Sequence, residues 1–247
     1  MTTLPAPFRV VAETSDLLVI DKPAGLLVHP TKPGGPRTLL DGVRELLAYE
    51  MQTGGQVSII NRLDRETSGL VLIAKHAAAA SRCAKAMQAG KIHKEYLALA
   101  AGWPEEDEFA VDAPLLRLGE VAETRIYLKR AVHPDGQPAL TRFRVEARTH
   151  RPNGDRVSRI RAWPVTGRTH QIRVHLAHAG FPILGDKIYG PDDRLYLEFT
   201  RTGWTEKLAA RLPFPRHALH STRLRLEYEG ETLDWTSPFP GDLVFSN

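Results

Sequence analysis

Short β-rich runs occur along the whole chain, with helical stretches set between them at irregular intervals, and this order argues against a regularly alternating parallel layout. From Phe8 the segment FRVVAETSDLLVIDKPAGLLVHP reads as two or three short strands punctuated by Ser-Asp and Pro-Ala-Gly turns. After the Pro- and Gly-rich loop TKPGGPRT, LLDGVRELLAYEM repeats its apolar residues at helical spacing and is closed by Gly54-Gly55. SGLVLIAK has the continuous apolar pattern of a buried strand. HAAAASRCAKAMQAG reads as a helix ending at Gly90, and KEYLALAAG as a further strand. The expected class is α+β, a mixed, mostly antiparallel sheet with peripheral helices. No linker, low-complexity tract or fixed-period repeat divides the 247 residues, so the chain reads as a single domain over 1–247.

Composition narrows the function classes. With 33 Lys+Arg against 29 Asp+Glu the chain is only mildly basic, which permits nucleic-acid binding without requiring it. The distribution says more. Trp103 to Glu123 holds seven acids and one base, whereas Arg142 to Arg173 holds nine arginines against Glu146 and Asp155. Arg142 and Arg144 alternate as outward strand residues would, while the nine as a set point to phosphate contact. The lone Cys83 has no intramolecular partner and reads as a small packed side chain in a reducing compartment. No apolar run approaches the roughly 18 residues of a membrane span, and the amino end lacks the basic-then-apolar layout of a signal peptide, so the cytoplasm is expected.

Three segments are polar where packing alone would prefer otherwise: INRLDRETSGLVLIAK around Asp64, HKEYLALAAG around Tyr96, and TGRTHQIRVHLAHAGFPILGDKIYG around Arg173. Taken singly, each key residue has a plain structural reading. Asp64 and Asn61 would open a turn before a strand. Tyr96 would be a strand tyrosine alternating with Ala98 and Ala100. Arg173 would be a surface arginine one turn into a helix capped by Thr169 and running to Gly180. Together they suggest one site, because Arg62 and Arg65 flank Asp64 and the Thr67-Ser68-Gly69 turn fixes its backbone ahead of a rigid strand.

These segments resemble the RluA family of RNA pseudouridine synthases, whose hallmark is an arginine-leucine-aspartate turn running into threonine-serine-glycine, here Arg62-Leu63-Asp64 and Thr67-Ser68-Gly69. VIDKPAGLLVHP, the Lys94-Glu95-Tyr96 triplet, the GRTHQIRVHLAHAGFPILGDKIYG block and the late HALHSTRL segment follow in the family's order, so the resemblance covers nearly the whole chain. It implies the pseudouridine synthase catalytic fold with a central RNA-binding cleft. It also implies a structured ribosomal or transfer RNA as substrate and no metal or cofactor, and a monomer is the default. Asp64 matches the nucleophilic aspartate that helps break the glycosidic bond and holds the ribose while the uracil turns; whether it attacks sugar or base stays open. Tyr96 matches the tyrosine that packs on the uracil and assists removal of the carbon-5 proton. Arg173 matches the arginine that orients the aspartate and favours its ionised form. Arg62 matches a wedge entering RNA beside a flipped base, with Arg65, Lys94, Arg168, His170 and Gln171 as further RNA contacts.

Asn61 departs from the histidine that many members carry there, which bears on the hydrogen bonding around Asp64. The chain also opens directly in catalytic-type sequence, without the S4-type RNA-binding module that precedes it in many relatives. Two other classes compete. His170, His175 and His178, followed by His217 and His220, would suit a metal hydrolase, although Arg168 and Arg173 lie within the cluster and no HExxH-type motif accompanies it. A non-catalytic RNA-binding protein would use the same arginines without the chemistry.

Overall fold

A computed structural model describes residues 8–244. Met1–Pro7, where the lack of a signal-peptide layout is a reading of sequence alone, lie outside the described residues. In chain order the first elements are β1 (Arg9–Glu13), β2 (Leu17–Lys22), α1 (Leu39–Leu46), α2 (Ala48–Gln52), β3 (Ser58–Ile59), β4 (Ser68–Ala74), α3 (Ala77–Gln88) and β5 (Ile92–Ala101). There follow β6 (Glu108–Asp112), β7 (Leu115–Arg117), β8 (Arg130–Val132), β9 (Leu140–His150), β10 (Arg156–Pro164), α4 (Gln171–His178), α5 (Arg194–Thr202), α6 (Glu206–Ala209), β11 (Leu219–Tyr228) and β12 (Glu231–Thr236). The chain divides into two compact units, Met1–Lys94 with Ser221–Pro238 and Glu95–His220 with Phe239–Asn247.

In the first unit the strands run in the order β1-β2-β4-β11, with β3 also on β4 and β12 on β11. β4 is buried along its whole length, which is why its sequence is continuously apolar instead of alternating. Leu70, Leu72 and Ala74 pack with Leu17 and Val19 of β2, Leu224 and Leu226 of β11, and Ala79, Cys83 and Ala86 of α3. Cys83 is the small packed side chain expected, and burial pushes its thiol up to about 11. α3 begins at His76, whose ring accepts the Ala79 N–H, and ends before Gly90, which takes the left-handed backbone of a helix stop (φ 68°). The single helix expected after TKPGGPRT is instead two. Leu39, Val43 and Leu47 are buried at helical spacing, but Ala48–Gln52 buries nothing, so no apolar face holds it to the axis of α1.

In the second unit the order is β5-β10-β9-β6, with β7 and β8 forming a separate pair. The registered pairings within both units are antiparallel, and the fold is of the mixed, mostly antiparallel α+β class expected. Along β9, exposed Arg142 and Arg144 alternate with buried Thr141, Phe143 and Val145. The acidic and arginine-rich segments meet here. Glu108 of β6 stands opposite Arg144, and Asp107 receives Arg148 at 2.6 Å. Arg151 pairs with Asp155, Arg159 with Glu146, Arg161 with Glu95 and Glu146, and Arg173 with Asp186. Five of the nine arginines are therefore matched by carboxylates inside the unit, which corrects the expectation that the set as a whole faces phosphate. No helix among the described residues is long and apolar enough to cross a membrane.

Candidate active site

Asp64 sits half-buried on a turn closed by the Thr67 N–H on the Asp64 carbonyl at 3.2 Å. Buried Leu63 precedes it, and buried Thr67 and Ser68 lead into β4. Gly69 explains the end of the motif. Its backbone is left-handed (φ 110°), and a Cβ there would lie 2.3 Å from the Ser221 carbonyl oxygen, so only glycine lets β11 pass. On the other side, Asn61 donates to the Leu70 carbonyl at 3.1 Å and accepts the Leu72 N–H at 2.8 Å. Its amide thus continues the ladder of β4 and ties the turn to the core strand, which answers the question raised by the departure from histidine.

The turn is held from below by a residue the sequence reading did not single out. Lys22, with no exposed surface, donates through Nζ to the carbonyls of Pro23, Leu26 and Arg65 at 2.9, 3.0 and 3.2 Å. The Gly25 N–H reaches the same Arg65 carbonyl at 2.8 Å, and Arg65 Nε returns a bond to the Gly25 carbonyl at 3.1 Å. A buried ammonium is costly unless oxygens surround it. Its signal in the sequence was a lysine ending the apolar run LLVID. Arg62 is exposed beside this pinned turn.

In the second unit, Tyr96 is buried on β5 opposite Ala162 of β10. Its neighbour Glu95 is engaged by Arg161 and by Trp163 Nε1 at 3.1 Å, so that carboxylate braces the strand. Lys94, at the end of the first unit, is half-buried, and burial holds its ammonium below the ordinary value.

Arg173 lies buried in α4, and its fork meets Asp186 with Nε–Oδ2 at 2.7 Å and Nη2–Oδ1 at 2.9 Å. Asp186 also accepts the N–H groups of Ile188 and Tyr189 at 2.9 and 3.1 Å. Burial alone would raise the Asp186 pKa, but the Arg173 charge and hydrogen bonds outweigh it and hold the carboxyl well below the usual range. The Tyr189 ring lies under the guanidinium at 5.0 Å, and its hydroxyl bonds His170 Nδ1 at 2.7 Å and accepts the Arg130 N–H at 2.9 Å. Asp186 and Tyr189 were missed as individual residues, although the charged Gly-Asp-Lys step inside an apolar stretch was their signal.

The start of α4 differs from expectation. His170, in left-handed backbone (φ 59°), occupies the cap position, and no side chain of Thr169 caps the helix; Gly180 does follow its end with positive φ. Gln171 explains the shift. Its Oε1 accepts from the Arg168 N–H and Thr166 hydroxyl, and its Nε2 donates to the Leu140 carbonyl and Thr141 hydroxyl. Both lone pairs and both N–H groups are thus used inside the unit, and the first turn is anchored through a side chain one position into the helix. Arg168 is exposed and donates through Nε to the Pro138 carbonyl at 3.1 Å. Among the described residues, no group of three His, Cys, Asp or Glu side chains is arranged to hold a metal ion. His175 instead bonds Thr141 Oγ1 at 2.9 Å and the Ala113 carbonyl at 3.0 Å.

Residues 16–178 match the family described as RNA pseudouridylate synthase, a span that holds Asp64, Tyr96 and Arg173. The chain belongs to this family. It is 37% identical over 243 residues to the ribosomal large subunit pseudouridine synthase D of Haemophilus ducreyi and 38% identical over 245 residues to that of Yersinia pestis. Each alignment covers 96% of this chain and 69% of the relative. Among solved structures, human RNA pseudouridylate synthase domain containing 1 superposes with a TM-score of 0.72 at 24% identity, covering 99% of this chain and 89% of that one. This likeness confirms the fold. A pseudouridine synthase replaces the nitrogen-to-ribose bond of uridine with a carbon-to-ribose bond, so the ring loses a hydrogen at carbon 5 and gains one at nitrogen. Such an isomerisation needs a partner for the electrophilic sugar or base, a route for a proton, and a compensating charge.

Proposed function

We propose that this pseudouridine synthase acts on uridine in large ribosomal subunit RNA, with Asp64 as the nucleophilic carboxylate. The observation that carries the choice of RNA is 36–38% identity across 96% of the chain to synthases named for that substrate. The pinned turn supports the choice of Asp64, because a carboxylate on rigid, half-buried backbone keeps its position while the base is detached and turned. Tyr96 stacks on the uracil and assists departure of the carbon-5 proton. Arg173, held by Asp186, serves as the fixed positive charge of the reaction. Arg62 enters the RNA beside the flipped nucleotide. Arg65, Lys94, Arg168 and His170 contact RNA, while Gln171, buried and fully bonded, builds the turn before α4 instead. The chain works as a monomer in the cytoplasm, where ribosomal RNA is processed.

The test is tritium release from an unmodified large-subunit RNA transcript labelled at carbon 5 of uridine, because isomerisation must expel that hydrogen. Release by the wild type and loss of release with retained RNA binding in Asp64→Ala is the expected result. Tight binding without release by the wild type would turn the reading into a non-catalytic RNA-binding protein. Release only from transfer RNA would overturn the ribosomal assignment while keeping the chemistry.

A further inference from the structure

The segment from Gly185 to Gly190 closes a turn around one carboxylate. Asp186 Oδ1 accepts the Ile188 and Tyr189 N–H groups at 2.9 and 3.1 Å, and the Asp186 carbonyl accepts the Gly190 N–H at 3.0 Å. Both ends need glycine: a Cβ on Gly185 would lie 2.2 Å from the Arg216 carbonyl oxygen, and one on Gly190 would lie 2.1 Å from that of Asp186. The turn therefore sets where the Tyr189 side chain leaves the backbone, and the side chain packs against buried Leu115, Ala139 and Val174.

From this anchored position Tyr189 makes two contacts of different kinds. Its ring lies under the Arg173 guanidinium, whose central carbon is 5.0 Å from the ring centroid. Its hydroxyl reaches His170 Nδ1 at 2.7 Å, and the His170 ring stands edge-on to it, with centroids 5.6 Å apart and planes at 79°. His170 is one of two non-glycine residues with positive φ among the described residues. Left-handed backbone at such a residue is strained and persists only where its surroundings hold it. The Tyr189 hydroxyl is one such hold.

We propose that Tyr189 is a positioning residue for RNA binding, holding His170 as the Nε2–H tautomer that donates to a backbone phosphate of the substrate. The Tyr189 oxygen accepts the Arg130 N–H at 2.9 Å, so its own proton goes to His170 Nδ1. A neutral imidazole that accepts at Nδ1 carries its proton on Nε2. Phosphate oxygens only accept, so this tautomer suits them, whereas the Nδ1–H tautomer would present a lone pair at Nε2. Hydroxyl and ring thus serve different groups, His170 and Arg173, and substitution separates them. The inference rests on the RNA-modifying reading above.

The test uses the full chain and an unmodified large-subunit RNA transcript labelled at carbon 5 of uridine. In the wild type without RNA, nitrogen NMR of the histidine rings, assigned by the signals lost in His170→Ala, should show Nε2 protonated and Nδ1 unprotonated. Tyr189→Phe keeps the ring and removes the hydroxyl. It should leave the two tautomers mixed and raise KM for tritium release about fivefold, with the defect in KM and not in kcat, and it should raise KM no further in a His170→Ala background. Tyr189→Leu removes the ring as well and should also lower kcat about tenfold. If Tyr189→Phe lowers the melting temperature but leaves tautomer and KM as they were, the tyrosine only stabilises the fold and the inference is overturned. A wild-type His170 protonated at Nδ1 would overturn it too, whether or not the variant folds. In both cases wild-type tritium release would leave the RNA-modifying reading standing. A wild type that releases no tritium would overturn that reading and the phosphate contact with it.

Discussion

Asp64 and Arg173, the proposed site residues, rest on supports that are buried and charged. Lys22 illustrates the consequence. Replacing it by Met leaves three carbonyls without their ammonium, and an unsatisfied buried acceptor costs about 1–3 kcal/mol. Lys22→Met should lower the melting temperature by roughly 2–12 °C, given about 2–4 °C per kcal/mol for a chain of this size, and should reduce kcat for tritium release in the protein that remains folded. A variant with wild-type melting and turnover would show that the Asp64 turn holds itself. Asp186→Asn removes the charge opposite buried Arg173, and breaking a buried pair costs about 3–5 kcal/mol. A large loss of stability by urea titration is expected, with kcat falling more than KM rises in the folded fraction. Asp64, Tyr96 and Arg173 stood out in the sequence because each stands in a polar motif of characteristic order, and their roles remain the proposal made above. Lys22 and Asp186 did not, since a lysine after an apolar strand and an aspartate after a glycine look solvent-facing until the fold shows both at zero exposure.

The strands were readable because β4 and β5 carry their patterns in consecutive residues. Helix limits were less so, because they depend on partners distant in the chain. Nothing local in Thr169-His170-Gln171 says that Gln171 reaches Leu140 and Thr141 of β9, yet those bonds set where α4 begins. The same anchoring gives α4 a pH dependence. Gln171 donates to Thr141 Oγ1, so the Thr141 hydroxyl is free to donate to His175 Nδ1, while His175 Nε2 donates to the Ala113 carbonyl. This chain of donors requires neutral imidazole, and burial accordingly lowers the His175 pKa. A lowered pKa means that the unfolded chain binds the proton more readily, so His175 withdraws stability as pH falls below about 6.5, the ordinary histidine value, toward its folded pKa. The urea midpoint should drop between pH 7.5 and 5.5, and by less in His175→Gln, which lacks the titrating group. An identical drop in both proteins would place the acid sensitivity elsewhere.

The two compact units share chain in an unusual way. The chain passes between them at 94/95, 220/221 and 238/239, and the first two crossings fall inside β5 and β11. A strand that belongs to one unit at its start and to the other at its end should not lose its ladder on one side without fraying on the other, so we propose that the two units melt together. The sequence carries no sign of this division: no Pro-, Gly- or Ser-rich linker stands at 94/95 or 220/221, the crossing at 238/239 falls in Ser237-Pro238-Phe239-Pro240-Gly241, and contacts between segments over a hundred residues apart create the units. Differential scanning calorimetry should therefore give one transition with equal calorimetric and van't Hoff enthalpies, and tritium-release activity should disappear along the same curve. Two resolved transitions, or activity lost well below the first, would show that the shared strands do not couple the melting of the two units.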